Sequence, residues 1–214
     1  MRRLLFAMFA FTALLGAMFP LTAEARVSDP GKLIKNVSED VLDMVRDARE
    51  MEDGEAYLKN NLQDYLDPYI DFDTFSQGVL GKYRKQVSAE NKEAFASDFK
   101  ETLVKLYAKS MLAFEVKEIA IAEIINPRPG MAQVTMHITS REDASFKAQY
   151  SLRKNDKGEW KVLNMILDGV NLGLTYRNQF YSAVESNDGD VSAAINNWSK
   201  VMEDVETVDA NSKN

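Results

Sequence analysis

The chain has 214 residues, 33 Asp+Glu against 26 Lys+Arg for a formal charge of −7, one His and no Cys. The length suits one domain, and a hydrophobic share of 45% is enough for a globular core. The missing Cys excludes disulfides, thiolate metal sites and cysteine nucleophiles, a single His argues against His-built metal sites and Ser/His/Asp triads, and the acidic balance argues against nucleic acid as a partner.

Arg2 and Arg3 precede an apolar run, Leu4 to Leu15, and Ala23-Glu24-Ala25 is a small-x-small site. This pattern predicts a cleavable secretory signal over residues 1–25, because the run is short for a membrane span. Its removal takes two Arg and one Glu and moves the charge from −7 to −8. The expected product, domain 26–206 with a polar tail 207–214, is exported, and an exported chain without Cys fits a bacterial periplasm.

Ser28-Asp29-Pro30 starts a helix with Leu33, Ile34, Val37, Val41 and Val45 at helical spacing to about Glu50. Gly54 breaks it, and a second helix runs from about Glu55 to Asp67-Pro68. Asp71 opens a short helix ending near Gly78 or Gly81, and Ser88 caps a long helix over 89–112 with Phe95, Phe99, Leu103, Leu106 and Ser110 on one stripe, Tyr107 and Met111 beside it. Near Phe114 the period changes from 3.6 to 2. Four strands are predicted between about 114 and 168, separated by turns at 126–130, 141–143 and 155–158. Val134, Met136 and Ile138 alternate with polar residues on the second strand, Phe146, Ala148 and Tyr150 on the third, and Val162 and Met165 lie on the fourth. Two helices follow, about 172–185 and 191–204. The order implies an α+β domain: a curved four-stranded antiparallel sheet with helices over its apolar face, the long helix being the best cover.

No catalytic constellation emerges. His137 falls on the polar face of its strand, Asp71 and Asp73 read as a helix cap and its neighbour, Glu142-Asp143 as a turn, and Asp168-Gly169 as a cap or turn. Lys82, Tyr83, Arg84 and Lys85 form a basic cluster: an exposed loop face, or a contact for an anionic headgroup or acidic partner.

Phe72-Asp73-Thr74-Phe75 with Val79-Leu80-Gly81-Lys82-Tyr83-Arg84 resembles the "F-D-F … V-L-G-x-[WY]-R" region of the MlaC, or toluene-tolerance auxiliary, family. Trp160-Lys161-Val162, Asp168-Gly169-Val170-Asn171-Leu172 and Tyr176-Arg177-Asn178-Gln179-Phe180 resemble its later block, with Asn164, Asp168 and Asn171 as departures, and the likeness covers roughly residues 28–205. The resemblance implies a nuclear-transport-factor-2-like fold enclosing an apolar cavity. It implies a non-catalytic periplasmic carrier of glycerophospholipid, with no cofactor or metal. Its implied partners are an outer-membrane lipoprotein–porin complex and an inner-membrane ABC transporter with a hexameric ring, and its implied role is maintaining outer-membrane lipid asymmetry. A carrier of another lipid or of lipoproteins, or an isomerase or hydratase on the same fold, are the alternatives. The expected lining is Phe95, Phe99, Leu103, Leu106, Tyr107, Met111, Val134, Met136, Ile138, Phe146, Ala148, Tyr150, Val162 and Met165, with Lys82, Tyr83, Arg84 and Arg177 meeting headgroup or partner.

Physical chemistry accords with such a carrier. At about 0.8 kcal/mol per methylene, the roughly thirty methylenes of a two-chain lipid disfavour its free form in water by more than about 20 kcal/mol. A holder must replace most of that with apolar surface, and Met111, Met136 and Met165 are adaptable liners. The net negative charge disfavours adsorption to anionic membranes and leaves protein docking as the route to the bilayer.

Overall fold

The computed structural model describes residues 29–202, so the predicted export signal and the predicted polar tail lie outside the described residues. The order is α1 (Pro30–Arg49), α2 (Gly54–Leu66), α3 (Phe72–Leu80), a 3-10 turn (Gly81–Lys85) and α4 (Ala89–Ala113). Then come β1 (Val116–Arg128), β2 (Met131–Ser140), β3 (Ser145–Lys154), β4 (Trp160–Leu167) and β5 (Val170–Asn171), followed by α5 (Leu172–Ser186) and α6 (Val191–Asn196).

The helix starts have the expected chemistry. Asp29 accepts from the backbone N–H groups of Gly31 and Lys32 ahead of Pro30, Asp71 from Thr74, and Ser88 from Asn91. Each such cap satisfies an amide that has no partner within its helix, and is worth about 1 kcal/mol. The last predicted helix is interrupted: α6 closes at Asn196, helix resumes at Trp198 and continues to 202, and the expected end near 204 lies outside the described residues.

The sheet is antiparallel with strands in sequence order, β1-β2-β3-β4-β5. Two details differ from the sequence reading. First, β1 runs through Asn126-Pro127-Arg128, residues whose composition predicts a turn. An edge strand tolerates Pro because its missing N–H faces away from the ladder. Second, a two-residue fifth strand pairs Leu167 with Val170 across Asp168-Gly169. Both turn residues have positive φ, 47° and 85°, the I′ geometry that matches strand twist. Irregularities in β1 and at Ser151/Leu152 shift the register and bend the ladder.

Among the described residues the core is divided into three clusters. One joins α3, α4, α5 and α6 around Phe95, Phe99, Phe180 and Trp198. A second presses Leu33 and Ile34 of α1 onto Ala132, Val134, Met136, Leu152 and Trp160 of the sheet. The third joins α1, α2 and the later half of α4. The expectation that the long helix covers the sheet is therefore corrected. The sheet cover is α1, with α3 and α5 on β4, whereas α4 packs chiefly on α2 and α3. Periodicity identified the apolar stripe of α4, but a stripe packs equally well on helices or on strands.

Candidate functional site

The polar candidates lie at caps, in turns and on exposed faces. His137 is exposed on the outer face of β2, opposite Ala120 and Lys147. Asp71 caps α3 and pairs with Arg153 at 3.3 Å, while Asp73 is exposed. Asp143 sits in a turn with φ 61° and pairs with Lys117 at 2.5 Å, and Glu142 is exposed beside it. The Asp168 carboxylate accepts from the Lys147 backbone N–H at 2.7 Å, which holds the β4–β5 turn against β3. Asn164 spans from β4 to α5, donating to Asn171 and accepting from the Gly173 backbone N–H, each at 3.0 Å. Among the described residues, no group of three or more His, Asp or Glu is placed to hold a metal.

A cleft of about 320 Å³ opens between the α2–α3 turn and the β3–β4 hairpin. Asp67, Asp71, Asp73, Asn155 and Lys161 line it around Ile70 and Phe72. Its charged wall is unsuited to hydrocarbon, since ionised groups lose hydration there without compensation.

The expected apolar lining separates into two kinds of residue. Phe95 and Phe99 are fully buried against Trp198, at ring distances of 5.6 and 6.0 Å, in the helical cluster without a strand residue. Val134 and Met136 are buried beneath α1, and Ala148 is fully buried beside Met136 on the ladder. The others remain half-buried. Leu103, Leu106 and Tyr107 flank the helical cluster, and Met111 flanks the third cluster. On the sheet, Ile138, Tyr150 and Val162 flank the α1 cluster. Ladder pairs bring Ile138 to Phe146 and Tyr150 to Met165, so these residues share one face. Two apolar surfaces, one on α4 and one on the sheet, are thus incompletely buried and belong to different clusters.

Further members were not identified from sequence. Ile119 and Ile121 of β1 pair with Ile138 and Met136, a contribution their alternation could have indicated. Phe114 is 39% exposed and stacks edge-on to Phe146 at 5.2 Å. Leu167, Val170 and Leu174 are 37%, 52% and 49% exposed. These lie at the β4–β5–α5 corner, where nothing in the local sequence marks them as exposed.

The phenols of this region are held neutral. Burial pushes the Tyr150 hydroxyl up to about 12, against a smaller opposing effect of a Ser38 hydrogen bond. Burial, followed by the proximity of Tyr107, raises Tyr176 strongly, and the two hydroxyls share a hydrogen bond. Neither phenol can serve as a base near neutrality.

The basic cluster is rigidly mounted. The Lys82 backbone N–H donates to the Tyr181 hydroxyl at 2.8 Å, and the Lys82 ammonium lies 4.9 Å from the Tyr83 ring and 4.8 Å from the Tyr181 ring. Arg177 donates its Nε–H to the Gly78 carbonyl at 2.7 Å. Gly81, at φ 50°, lies so close to the Tyr181 hydroxyl that a Cβ would overlap it.

A family model described as "MlaC protein" matches residues 35–200. The chain is 28% identical over 184 residues to the toluene tolerance protein ttg2D of Pseudomonas putida, covering 85% of each chain. It is 30% identical over 125 residues to the intermembrane phospholipid transport system binding protein MlaC of Haemophilus influenzae, covering 54% of this chain and 56% of that one. Its fold is similar to that of a phospholipid-binding protein from Ralstonia solanacearum solved in complex with a phospholipid. That match has a TM-score of 0.71 at 20% identity, over 82% of this chain and 98% of the other.

Proposed function

This chain belongs to the MlaC family, and from that premise we propose that it is a periplasmic phospholipid-binding protein that carries glycerophospholipid between outer- and inner-membrane transport complexes. It binds without catalysing a reaction. The supporting observation is the pair of apolar surfaces left half-buried on α4 and on the sheet. A chain whose sole requirement was stability would bring such surfaces together, because each buried Leu or Met side chain contributes about 1.5–3 kcal/mol. Acyl chains lying between Leu103, Leu106, Tyr107 and Met111 on one side and Ile138, Phe146, Tyr150, Val162 and Met165 on the other would complete their burial. Neutral phenols add no charge to that surface.

The rim around Phe114, Leu167, Val170 and Leu174 suits the point where cargo enters and leaves. Its apolar side chains accompany the acyl chains out of the interior, so that transfer to a second binding protein avoids water. The partners in this reading are the inner-membrane ABC transporter with its hexameric ring and the outer-membrane lipoprotein–porin complex. This traffic maintains outer-membrane lipid asymmetry.

Native mass spectrometry and organic extraction of protein isolated from the periplasm test the reading. Bound glycerophospholipid, exchangeable into acceptor vesicles of phosphatidylethanolamine, is the expected result. Protein that emerges free of phospholipid, and cannot be loaded from such vesicles, overturns it.

A further inference from the structure

We propose that the exposed cations of the 3-10 turn, with the adjoining face of α5, form a docking surface for an acidic protein partner. This inference rests on the carrier reading above, since a carrier must be recognised at each end of its route.

The first ground is unmet charge. Several cations elsewhere are neutralised locally, among them Lys35 by Glu39, Lys59 by Glu55, Lys100 by Asp67, Arg141 by Glu115 and Arg153 by Asp71, and what sets this turn apart is that its unpaired cations are clustered. Lys82, Arg84 and Lys85 are exposed, and none of them has an ion pair among the described residues. In a chain of charge −7, three adjacent cations without carboxylates form a local field opposite to that of the whole molecule.

The second ground is rigidity. The turn hangs on Tyr181 through the Lys82 amide, and Tyr181 packs edge-on to Tyr83 at 5.3 Å. Tyr83 in turn meets Phe180 of the buried helical cluster at 6.3 Å. The backbone that carries the cations is thus held before binding, and the Lys82 ammonium is held between two tyrosine rings, so that part of the ordering cost of recognition is already met.

The third ground is continuity with the rim. Tyr181, Arg177 and Leu174 follow one another at helical steps along α5, so the basic turn leads to the exposed apolar side chains of Leu174 and Val170. A partner bearing carboxylates opposite the turn would meet the rim with its own apolar edge. An acidic protein fits better than an anionic bilayer. An anionic bilayer presents an extended negative plane to a chain that is negative as a whole, whereas an acidic protein patch can be confined to the few ångströms facing the local cations.

The test uses the full exported chain with the purified periplasmic ring of the inner-membrane transporter and the purified outer-membrane complex as probes. Arg84→Glu combined with Lys85→Glu should weaken binding to at least one of them by about tenfold or more. Wild-type binding should weaken between 50 and 300 mM NaCl, and bound phospholipid should be unchanged. A control with the same net charge, Lys32→Glu with Lys109→Glu, should bind as wild type does. If the double reversal fails to fold, Arg84→Gln with Lys85→Gln should show a smaller loss in the same direction. Unchanged affinity for both probes, wild-type binding to neither, or an equal loss in the control overturns the docking assignment. So does binding of the wild type to phosphatidylglycerol vesicles that the double variant lacks, or self-association that it abolishes. All of these leave the carrier reading intact if phospholipid is retained. A wild-type protein devoid of phospholipid overturns the carrier reading instead.

Discussion

Replacing Leu106 by Asp separates the roles of lining and core. Leu106 is half-buried on α4, at the margin of the helical cluster. Its carboxylate replacement can reach water in the empty protein, so the cost to folding should stay within about 1–2 kcal/mol. With acyl chains in place, that carboxylate would lie against hydrocarbon. The least costly response is protonation, which from an ordinary pKa of about 3.9 to pH 7 requires about 4 kcal/mol at 1.36 kcal/mol per unit. Cargo affinity should therefore fall roughly a thousandfold at pH 7. The penalty should shrink as pH falls and be nearly gone below about pH 4, where the carboxyl is already neutral. The assay is phospholipid content after loading from vesicles at pH 7 and pH 4, with the thermal unfolding midpoint measured in parallel. A variant that keeps its phospholipid at pH 7, or that loses it only by unfolding, refutes the assignment of Leu106 to the lining.

Other substitutions test other parts of the account. Phe99→Ala removes a fully buried ring and should cost about 3–5 kcal/mol of stability in a denaturant titration; a loss under 1 kcal/mol would be inconsistent with its place in the helical core. Gly81→Ala meets both a positive φ and the Tyr181 hydroxyl, so it should destabilise by about 1–3 kcal/mol, and full stability would contradict that geometry. Burial and then the neighbouring Glu101 raise the Asp98 carboxyl above its ordinary 3.8, so its ionised form is disfavoured in the folded state. Asp98→Asn should then raise the unfolding midpoint at neutral pH, with the gain vanishing as pH falls through the folded pKa and then 3.8; a gain that persists or grows in acid would reverse the assigned sign.

Much of this fold is written in local chemistry. Asp29-Pro30, Asp71 and Ser88 announce helix starts that the backbone bears out, and the β2 and β3 alternation places Val134 and Tyr150, or Met136 and Ala148, side by side. What sequence could not supply was which faces meet. Phe95 and Phe99 lie on the same stripe of α4 as Leu103 and Leu106, yet the first pair closes on Trp198 while the second stays half-buried. Trp198 lies about a hundred residues away, and no local pattern reports so distant a partner. The same limit applies to the role of α1: Leu33 and Ile34 read as an ordinary helical face, and only the folded chain places them on Val134 and Leu152. Pro127 stands in a strand for a different reason. Proline signals a turn in most settings, and its tolerance in β1 depends on that strand being an edge, a fact of topology rather than of sequence.

A crystal structure of the protein loaded with phosphatidylglycerol or phosphatidylethanolamine tests the central claim most directly. The account predicts acyl-chain density between α4 and the sheet, against Leu106 and Tyr107 on one side and Phe146 and Met165 on the other, with the headgroup toward the rim of Leu167, Val170 and Leu174. Density confined to the polar cleft beside Asp71 and Lys161, or a loaded protein in which α4 has closed on the sheet with no chain between them, would contradict it.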